Sequence, residues 1–425
     1  MKKNSVGIIG LGYVGLPLAI EFCRAGFQVI GVDIDEEKLA CLSKGDSYIA
    51  DVASQDIQEF VSSGRLYPSA EFSSLREVEG ISICVPTPLR KTKEPDVSYV
   101  VATAENISRI LQPGQVVILE STVYPGATDG LVAPILETSG LKVGKDFYLV
   151  FSPERIDPGN HSVALKDVPK VIGGINEEST HRAAKLYGHV FNTVIPMTST
   201  KGAEMAKLLE NTFRAVNIGL VNELAMMAHH MDIDIWEVIK AAASKPFGFM
   251  PFYPGPGWGG HCIPVDPVYL SWRAKMDGLD VGFIDHAVQI NNHMPQYVVD
   301  RVADLLNEQS KPLHGSRLLL LGISYKRDVA DMRESPAIPI LTILEQKQAL
   351  VTYHDPYIPY LESDGRVLES SHLDSQLLSG QDCIIITTDH SCFDYEFISK
   401  HSSLIFDTRN ATHGLQERYL HIRLL

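Results

Sequence analysis

No run of this sequence approaches the roughly 20 apolar residues of a membrane-spanning helix, so no membrane partner is expected. Positive charge is scarce too: 37 Lys and Arg stand against 52 Asp and Glu, a formal net charge of −15. A nucleic-acid surface needs clustered Lys and Arg, so nucleic acid is excluded as a partner and any anionic ligand must meet local cations. Cysteine is sparse and scattered. Cys23, Cys41, Cys84, Cys262, Cys383 and Cys392 show no paired metal-ligand spacing, which reads as a reduced, cytoplasmic set with neither a disulfide framework nor a metal site. Met1-Lys2-Lys3 and the apolar stretch to Ile20 imitate a secretory signal, but Gly10, Gly12 and Gly15 interrupt it and Glu21 follows at once. A cytoplasmic protein is expected.

What is present is an alternation of short β-branched runs with helical stretches from Ser5 to about Pro196, the pattern of a parallel sheet with helical crossovers. The expected strands are Val6–Ile9, Gln28–Val32, Ile81–Val85, Val116–Glu120, Phe147–Phe151, Lys170–Ile172 and Thr193–Pro196. From Lys201 to about Met231 the period becomes helical, with Met205, Leu208, Leu209, Phe213, Val216, Leu220 and Leu224 at helical intervals. A Gly/Pro/aromatic segment, Pro246 to Pro267, has neither period and is expected to be an ordered loop of functional size. After Lys311-Pro312 a second βα unit begins with the strand Arg317–Leu321, a helix Ser335–Gln346 and a strand Leu350–Tyr353 that ends at Asp355. Strands Cys383–Thr387 and Leu404–Phe406 complete it. The fold class expected is α/β: two Rossmann-like doubly wound domains, 1–198 and 311–425, joined by a central all-α domain, 199–310, with a long bridging helix. The length of that apolar helix predicts a homodimer or higher homo-oligomer through the central domain.

Gly10-Leu11-Gly12-Tyr13-Val14-Gly15 follows the first strand directly and opens a helix, the context a dinucleotide fingerprint requires. Gly10 permits the tight turn, Gly12 the approach of the backbone to a pyrophosphate, and Gly15 the close packing of helix on strand. The helix N-terminus offers N–H groups to phosphate, with Tyr13 and Val14 beside it. Asp33 closes the second strand 21 residues after Gly12, where a carboxylate accepts from the ribose hydroxyls and selects NAD over NADP; Lys38, one turn on, softens that selection. Thr87 and Thr122 stand at C-terminal strand ends and read equally as nicotinamide-side contacts or as turn hydroxyls bonded to their own backbone.

Gly259-Gly260-His261-Cys262-Ile263-Pro264-Val265-Asp266-Pro267 brings a backbone close to something and sets a thiol beside a histidine. Such a thiol becomes reactive where an imidazolium, a helix terminus or a cation raises its thiolate fraction; taken alone it reads more simply as a small buried residue. Glu204, Lys207, Asn211 and Asn222 fall within an arc of roughly 60° on the long helix, either a solvated face or a polar stripe directed at one target.

These motifs, with Glu120-Ser121-Thr122-Val123-Tyr124-Pro125-Gly126, Ser152-Pro153-Glu154-Arg155, Lys207-Leu208-Leu209-Glu210-Asn211-Thr212 and Tyr325-Lys326 through Arg333-Glu334-Ser335-Pro336, resemble the UDP-glucose/GDP-mannose dehydrogenase family over nearly the whole chain. Pro246-Phe247-Gly248-Phe249 and Pro254-Gly255-Pro256-Gly257 resemble the branch acting on UDP-N-acetylhexosamines, nearest the UDP-N-acetylglucosamine 6-dehydrogenases.

The resemblance implies a four-electron oxidation of a UDP-sugar at C6. NAD takes a hydride to leave an aldehyde, Cys262 captures it, a second NAD oxidises the thiohemiacetal to a thioester, and water releases the acid, a precursor for a surface polysaccharide. By motif position it makes Lys207 and Asn211 the oxyanion and water holders, assisted by Glu154, Thr122 and Asp266. It gives Lys326, Arg333 and Arg409 to nucleotide handling in a C-terminal UDP-sugar-binding domain. Arg155, Phe252, Tyr253 and Gly259 join Glu154, Lys207 and Asn211 around the substrate. Without the resemblance, Lys326 and Arg333 read as surface partners of Asp328, Asp331 and Glu334. The UDP-glucose branch carries a second glutamate where Pro158 stands and a lysine where Val265 stands, which weakens UDP-glucose as substrate; the mannosamine and galactosamine epimers remain alternatives. Two rival readings use less of the sequence: a two-electron hydroxyacid dehydrogenase needs neither Cys262 nor the second α/β domain, and a silent NAD-binding scaffold needs no Lys207 or Asn211.

Overall fold

The computed structural model describes residues 4–49, 51–156, 163–363 and 365–425. Contacts group the chain into two compact units, Met1–Glu210 with Val268–Leu279, and Asn211–Pro267 with Asp280–Leu425.

The first unit holds eight strands: β1 (Ser5–Ile9), β2 (Gln28–Val32), β3 (Leu66–Ser69), β4 (Gly80–Ile83), β5 (Val116–Leu119), β6 (Tyr148–Phe151), β7 (Lys170–Gly174) and β8 (Val194–Met197). Their order is β3-β2-β1-β4-β5-β6-β7-β8. Both faces of the sheet are covered, so its strands read as nearly continuous apolar runs. Alternation still sorts them. Val116 and Ile118 of β5 join one core with Phe22 and Tyr187, while Val117 and Leu119 join the other with Ile107 and Leu136. The same alternation divides Tyr148 and Val150 from Leu149 and Phe151 in β6.

One expectation needs correction: the sheet is not wholly parallel, because β6 and β7 pair antiparallel, Val150 with Gly174 and Phe151 with Gly173. A parallel neighbour requires a long, usually helical crossover, and the described residues between these strands hold only the single turn Leu165–Asp167. Strand β3 also escaped the sequence reading. It is four residues at the sheet edge with Pro68 inside, where a missing N–H does no harm to the ladder.

The second unit carries β9 (Arg317–Leu321), β10 (Leu350–His354), an antiparallel hairpin β11 (Tyr360–Ser363) and β12 (Arg366–Glu369), β13 (Cys383–Ile386), β14 (Ile405–Asp407) and β15 (Ile422–Leu424). Its five-stranded sheet runs β10-β9-β13-β14-β15, all parallel. Leu318 and Leu320 face one core, Leu319 and Leu321 the other. The architecture is α/β, with a Rossmann-type sheet in each unit and helical residues between. The helix Thr200–His230 is continuous, as its period predicts, and the helices Asp266–Met276 and Gly282–Glu308 follow the loop in turn. The C-terminal unit repeats the N-terminal turn closely: Gly10 has φ +88° and donates its N–H to Val32 O at 2.8 Å, and Gly322 has φ +89° and donates to His354 O at 2.9 Å. Among the described residues no helix is long and apolar enough to cross a membrane.

Candidate active site

In the first sheet the chain reverses direction of growth between β1 and β4, and ligands of open α/β sheets bind at such a switch point, at the carboxyl ends of the strands. A cleft of about 510 Å³ lies there, lined by Gly10, Gly12, Asp33, Lys38, Val85 and Pro86 among others. Two glycines of the fingerprint cannot be replaced. A Cβ on Gly10 would stand 2.6 Å from the Cys84 carbonyl oxygen, and one on Gly15 only 1.9 Å from Gly10 O. Gly12, in contrast, faces open space, with nothing within 4 Å of where its Cβ would be. That is a cradle for a phosphate at a helix N-terminus, here the helix Gly15–Arg24.

Asp33 is buried at the mouth of this cleft. Its Oδ2 accepts from Leu11 N at 2.7 Å and its Oδ1 from Asp35 N at 3.0 Å, so it shapes the fingerprint loop as well as lining the cleft. Lys38 Nζ lies 4.0 Å from Asp33 Oδ2 and 3.5 Å from Asp35 Oδ2. Tyr48, which no motif singles out, donates its hydroxyl to Leu11 O at 2.6 Å. The residues present fit NAD. Tyr13 and Val14 start the helix beside Gly12, Tyr13 exposed and Val14 half-buried. Thr87 is buried, and its carbonyl oxygen accepts from Tyr269 Oη at 2.9 Å; Thr122 is half-buried just beyond β5.

The polar stripe of the long helix is not a solvated face. Glu204, Lys207, Asn211 and Asn222 are all buried. Nor do all four meet one target. Glu204 accepts from the N–H groups of Gly126 and Thr128, and Asn222 Oδ1 accepts from Gly255 N at 2.9 Å. Burial pushes the Glu204 carboxyl up, against the opposing pull of those hydrogen bonds.

Lys207 Nζ donates to Glu154 O at 2.7 Å and to Glu154 Oε2 at 3.2 Å, joining two predicted residues in the first unit. Arg155, beside them, pairs with Glu210 and donates to Pro169 O at 3.0 Å. Beneath Glu154 lies a network the sequence reading missed: Lys170 Nζ donates to Glu120 Oε2 at 2.5 Å, and Tyr187 Oη donates to the other oxygen of Glu120. A lysine opening an otherwise apolar buried strand was the signal available for it.

In the second unit Asn211 is held from both sides, its Nδ2 donating to Asp266 and its Oδ1 accepting from Arg214. Cys262 is half-buried, and its carbonyl oxygen accepts from Val265 N at 3.1 Å and Asp266 N at 2.9 Å, turning the chain into the helix Asp266–Met276. The two glycines before it approach a specific partner. A Cβ on Gly259 would meet Tyr325 Cβ at 2.6 Å and Glu334 O at 3.1 Å, while Gly260, at φ +86°, lies against the Tyr325 ring and donates its N–H to Arg333 O at 3.1 Å. The cysteine loop thus rests on the loop that carries Lys326 and Arg333. Lys326 is half-buried, and the Arg333 guanidinium forks onto Asp331, with Nη2 to Oδ2 at 2.7 Å. Arg409 donates Nε to Thr387 O at 2.9 Å and presses its Nη1 on Gly255, where a Cβ would stand 2.6 Å away. Burial lowers the Arg409 pKa, opposed by Asp389 and Asp407. Phe252 meets Phe213 edge-on at 5.7 Å, and exposed Tyr253 stacks on Trp236 at 6.1 Å. Val265 is buried, and Pro158 lies outside the described residues. Among the described residues no group of three or more His, Cys, Asp or Glu could hold a metal ion.

Three family models match the chain: the NAD binding domain of the UDP-glucose/GDP-mannose dehydrogenase family over residues 4–191, its central domain over 201–293 and its UDP binding domain over 319–414. The chain belongs to the UDP-glucose/GDP-mannose dehydrogenase family. It is an oxidoreductase, an NAD-dependent UDP-sugar 6-dehydrogenase. A UDP-N-acetyl-D-glucosamine 6-dehydrogenase of Pseudomonas aeruginosa is 37% identical over 360 residues, 84% of each chain. A UDP-N-acetyl-D-mannosamine dehydrogenase of Pyrococcus horikoshii is 34% identical over 411 residues, 95% of each chain. The solved structure of a UDP-D-ManNAc dehydrogenase from Pyrococcus horikoshii superposes with a TM-score of 0.90 at 33% identity, covering 99% of this chain and 98% of that one.

Proposed function

We propose that this enzyme oxidises the C6 alcohol of a UDP-N-acetylhexosamine, UDP-N-acetylglucosamine first, to the carboxylate, with Cys262 as covalent nucleophile. The observation that carries the reading is the seating of Gly259-Gly260 on Tyr325 and Arg333, which joins the nucleophile's loop to the loop bearing cations for a diphosphate. UDP-N-acetylmannosamine is the second reading, favoured by the relative from Pyrococcus horikoshii.

One NAD for each of the two oxidations would supply the hydride acceptor. Gly10, Gly12, Tyr13, Val14, Gly15, Asp33, Lys38, Thr87 and Thr122 hold it. Lys326, Arg333 and Arg409 take the UDP moiety, with Arg155, Phe252, Tyr253 and Gly259 around the sugar. Cys262 Sγ adds to the C6 aldehyde, forming a thiohemiacetal and later a thioester; sulfur suits both steps, being a strong nucleophile and a tolerable leaving group. Lys207 and Asn211 donate to the oxygen that becomes anionic, Asn211 through the N–H of its amide not committed to Asp266. Glu154, Thr122 and Asp266 pass protons and order the water that cleaves the thioester.

A second copy of the chain covers the long helix in this reading. Leu209, Phe213, Leu220, Leu224 and Met227 are exposed large hydrophobics and fall within roughly 60° of arc. Sedimentation of Leu220→Glu as a monomer supports the homodimer; an unchanged mass refutes it.

The substrate test mixes the protein, NAD and a panel of UDP-sugars and follows NADH and product mass. UDP-N-acetylglucosamine should give the highest kcat/KM. A higher value for the mannosamine epimer selects the second reading, and a higher value for UDP-glucose than for every acetamido sugar overturns both.

A further inference from the structure

The loop after β9 carries Lys326 and Arg333, and the loop after β13 carries His390; both leave the carboxyl edge of the second sheet at its switch point, between β9 and β13. The two loops are stitched together. Thr387 Oγ1 donates to Leu321 O at 3.1 Å and also to Gly322 O, and Thr388 Oγ1 donates to Ser324 O. Beyond these neighbours sits His390, fully buried, with both ring nitrogens engaged.

His390 Nδ1 accepts the backbone N–H of Asp328 at 3.0 Å, which fixes the ring proton on Nε2. Nε2 donates it to Asp355 Oδ2 at 3.1 Å. Asp355 also accepts from Ile323 N at 2.6 Å and Ser324 N at 2.9 Å, so the chain of bonds runs from the end of β10 to the turn after β9 and back to Asp328 through the imidazole. Asp328 returns the contact: its Oδ1 accepts from Ser391 N at 2.9 Å. It is a non-glycine residue at φ +58°, a strained conformation that persists only where surrounding bonds over-determine it. Phe393 closes the ring edge-on at 5.3 Å, and Tyr357 lies 5.0 Å from it.

We infer that His390 is a positioning residue for nucleotide binding: by holding Asp328 in the left-handed conformation it sets the course of the loop that presents Lys326 and Arg333. Its ring is fully buried and both nitrogens are committed to protein partners, so it acts through the loop it holds. The inference rests on the proposal that Lys326 and Arg333 hold the UDP moiety.

The test compares His390→Ala, His390→Asn, His390→Gln and Lys326→Ala by calorimetric titration with UDP, steady-state KM values for UDP-sugar and NAD, and thermal unfolding. An asparagine oxygen falls near Nδ1 and restores the acceptor for Asp328 N–H, whereas a glutamine amide reaches towards Asp355 and restores the donor. His390→Ala should raise the Kd for UDP and the KM for UDP-sugar about tenfold, the loss of one buried hydrogen bond with its loop order, while the KM for NAD stays put. His390→Asn should recover most of that affinity and His390→Gln little of it, whatever their order in Tm. Should His390→Ala fail to fold, the comparison of the other two decides. A wild-type Kd for UDP in His390→Ala, equal rescue by the two amides, or KM values for both substrates moving together with Tm overturns the inference alone, provided Lys326→Ala weakens UDP. If Lys326→Ala leaves UDP binding unchanged, the nucleotide-site reading falls and this inference falls with it.

Discussion

Asp355 closes β10 at the position Asp33 holds after β2, and each carboxylate takes backbone N–H groups from the turn that follows the first strand of its own βα unit. The two have diverged in what else they do. Asp355 adds His390 and Ser324 as partners and is buried among them, whereas Asp33 opens on a cleft. A fully committed carboxylate has no lone pair to spare for a ribose, so in the proposed cofactor site that role falls to Asp33.

Asp33 therefore has two roles that substitutions can separate. Asp33→Asn keeps an acceptor for Leu11 N–H and removes the charge that repels a 2′-phosphate, with Lys38 Nζ 4.0 Å away to receive one. Preference for NAD over NADP should narrow, with a smaller loss of Tm than in the alanine variant, because the amide keeps an acceptor for Leu11 N–H but loses the one for Asp35 N–H. Asp33→Ala should narrow it as well and cost about 1–3 kcal/mol of stability through the unsatisfied Leu11 N–H. Initial rates with both cofactors and thermal unfolding check this; equal turnover with NADP in the unmutated enzyme would refute the assignment of Asp33.

Much of the fold and part of the site could be read from the residues in order, because they depend on local spacing. The fingerprint is six consecutive residues, and the long helix declares its period over 31 residues. What could not be read are meetings between distant residues. His390 and Asp355 are 35 positions apart and Glu120 and Lys170 are 50, and nothing in the local pattern of either pair names its partner. The polar stripe was legible as a stripe, but whether water or backbone met it depended on the packing of the loops at Gly126 and Gly255. Strand β15 is three residues long and β3 is interrupted by proline, too short and too irregular for a two-residue period to show.

Lys207 and Lys170 offer a comparison between chemistry and scaffolding. Both are buried lysines bonded to buried glutamates, Glu154 and Glu120. Lys207→Ala and Lys170→Ala should each destabilise the protein by about 3–5 kcal/mol, since either change strands a buried carboxylate. They should part in turnover. The Lys207 variant should lose acid formation by orders of magnitude, and the folded fraction of the Lys170 variant should keep a kcat within several-fold of wild type. Denaturant unfolding and NADH rates corrected for folded fraction measure both; a Lys207 variant with near-normal kcat removes it from the chemistry.

Acid should expose the Asp355 network. Burial acts to raise this carboxyl, but bonds from His390 and from the N–H groups of Ser324, Ile323 and Tyr357 prevail and hold it well below the usual carboxylate range. Below its ordinary value near 3.8 the unfolded chain binds a proton that the folded chain does not, so stability falls as pH drops from there towards the folded pKa. Asp355→Asn should be less stable at neutral pH and should show a shallower decline in this window. Urea denaturation at several pH values between about 2.5 and 5 tests it; parallel curves for the two proteins would show that other carboxylates set the acid limit.

Cys262 separates a four-electron dehydrogenase from every two-electron one. With the thiolate capturing the aldehyde, the wild-type enzyme should produce two NADH per sugar and release a uronic acid. Cys262→Ala should lose acid formation almost entirely while keeping its fold and NAD affinity, because the half-buried side chain sits on a loop and contributes little packing. The backbone of that loop bonds with Val265, Asp266 and Arg333, and the substitution keeps those bonds. Cys262→Ser is sharper. Its hydroxyl nearly preserves the shape but is a much weaker nucleophile at neutral pH, and an ester formed through it hydrolyses slowly. A covalent adduct should then appear as a mass increase on the protein, or as a burst of at most two NADH per site without turnover. Steady production of two NADH per sugar by Cys262→Ala would remove the covalent step and leave the second oxidation to proceed through a hydrated aldehyde, with Lys207 and Asn211 as its remaining support.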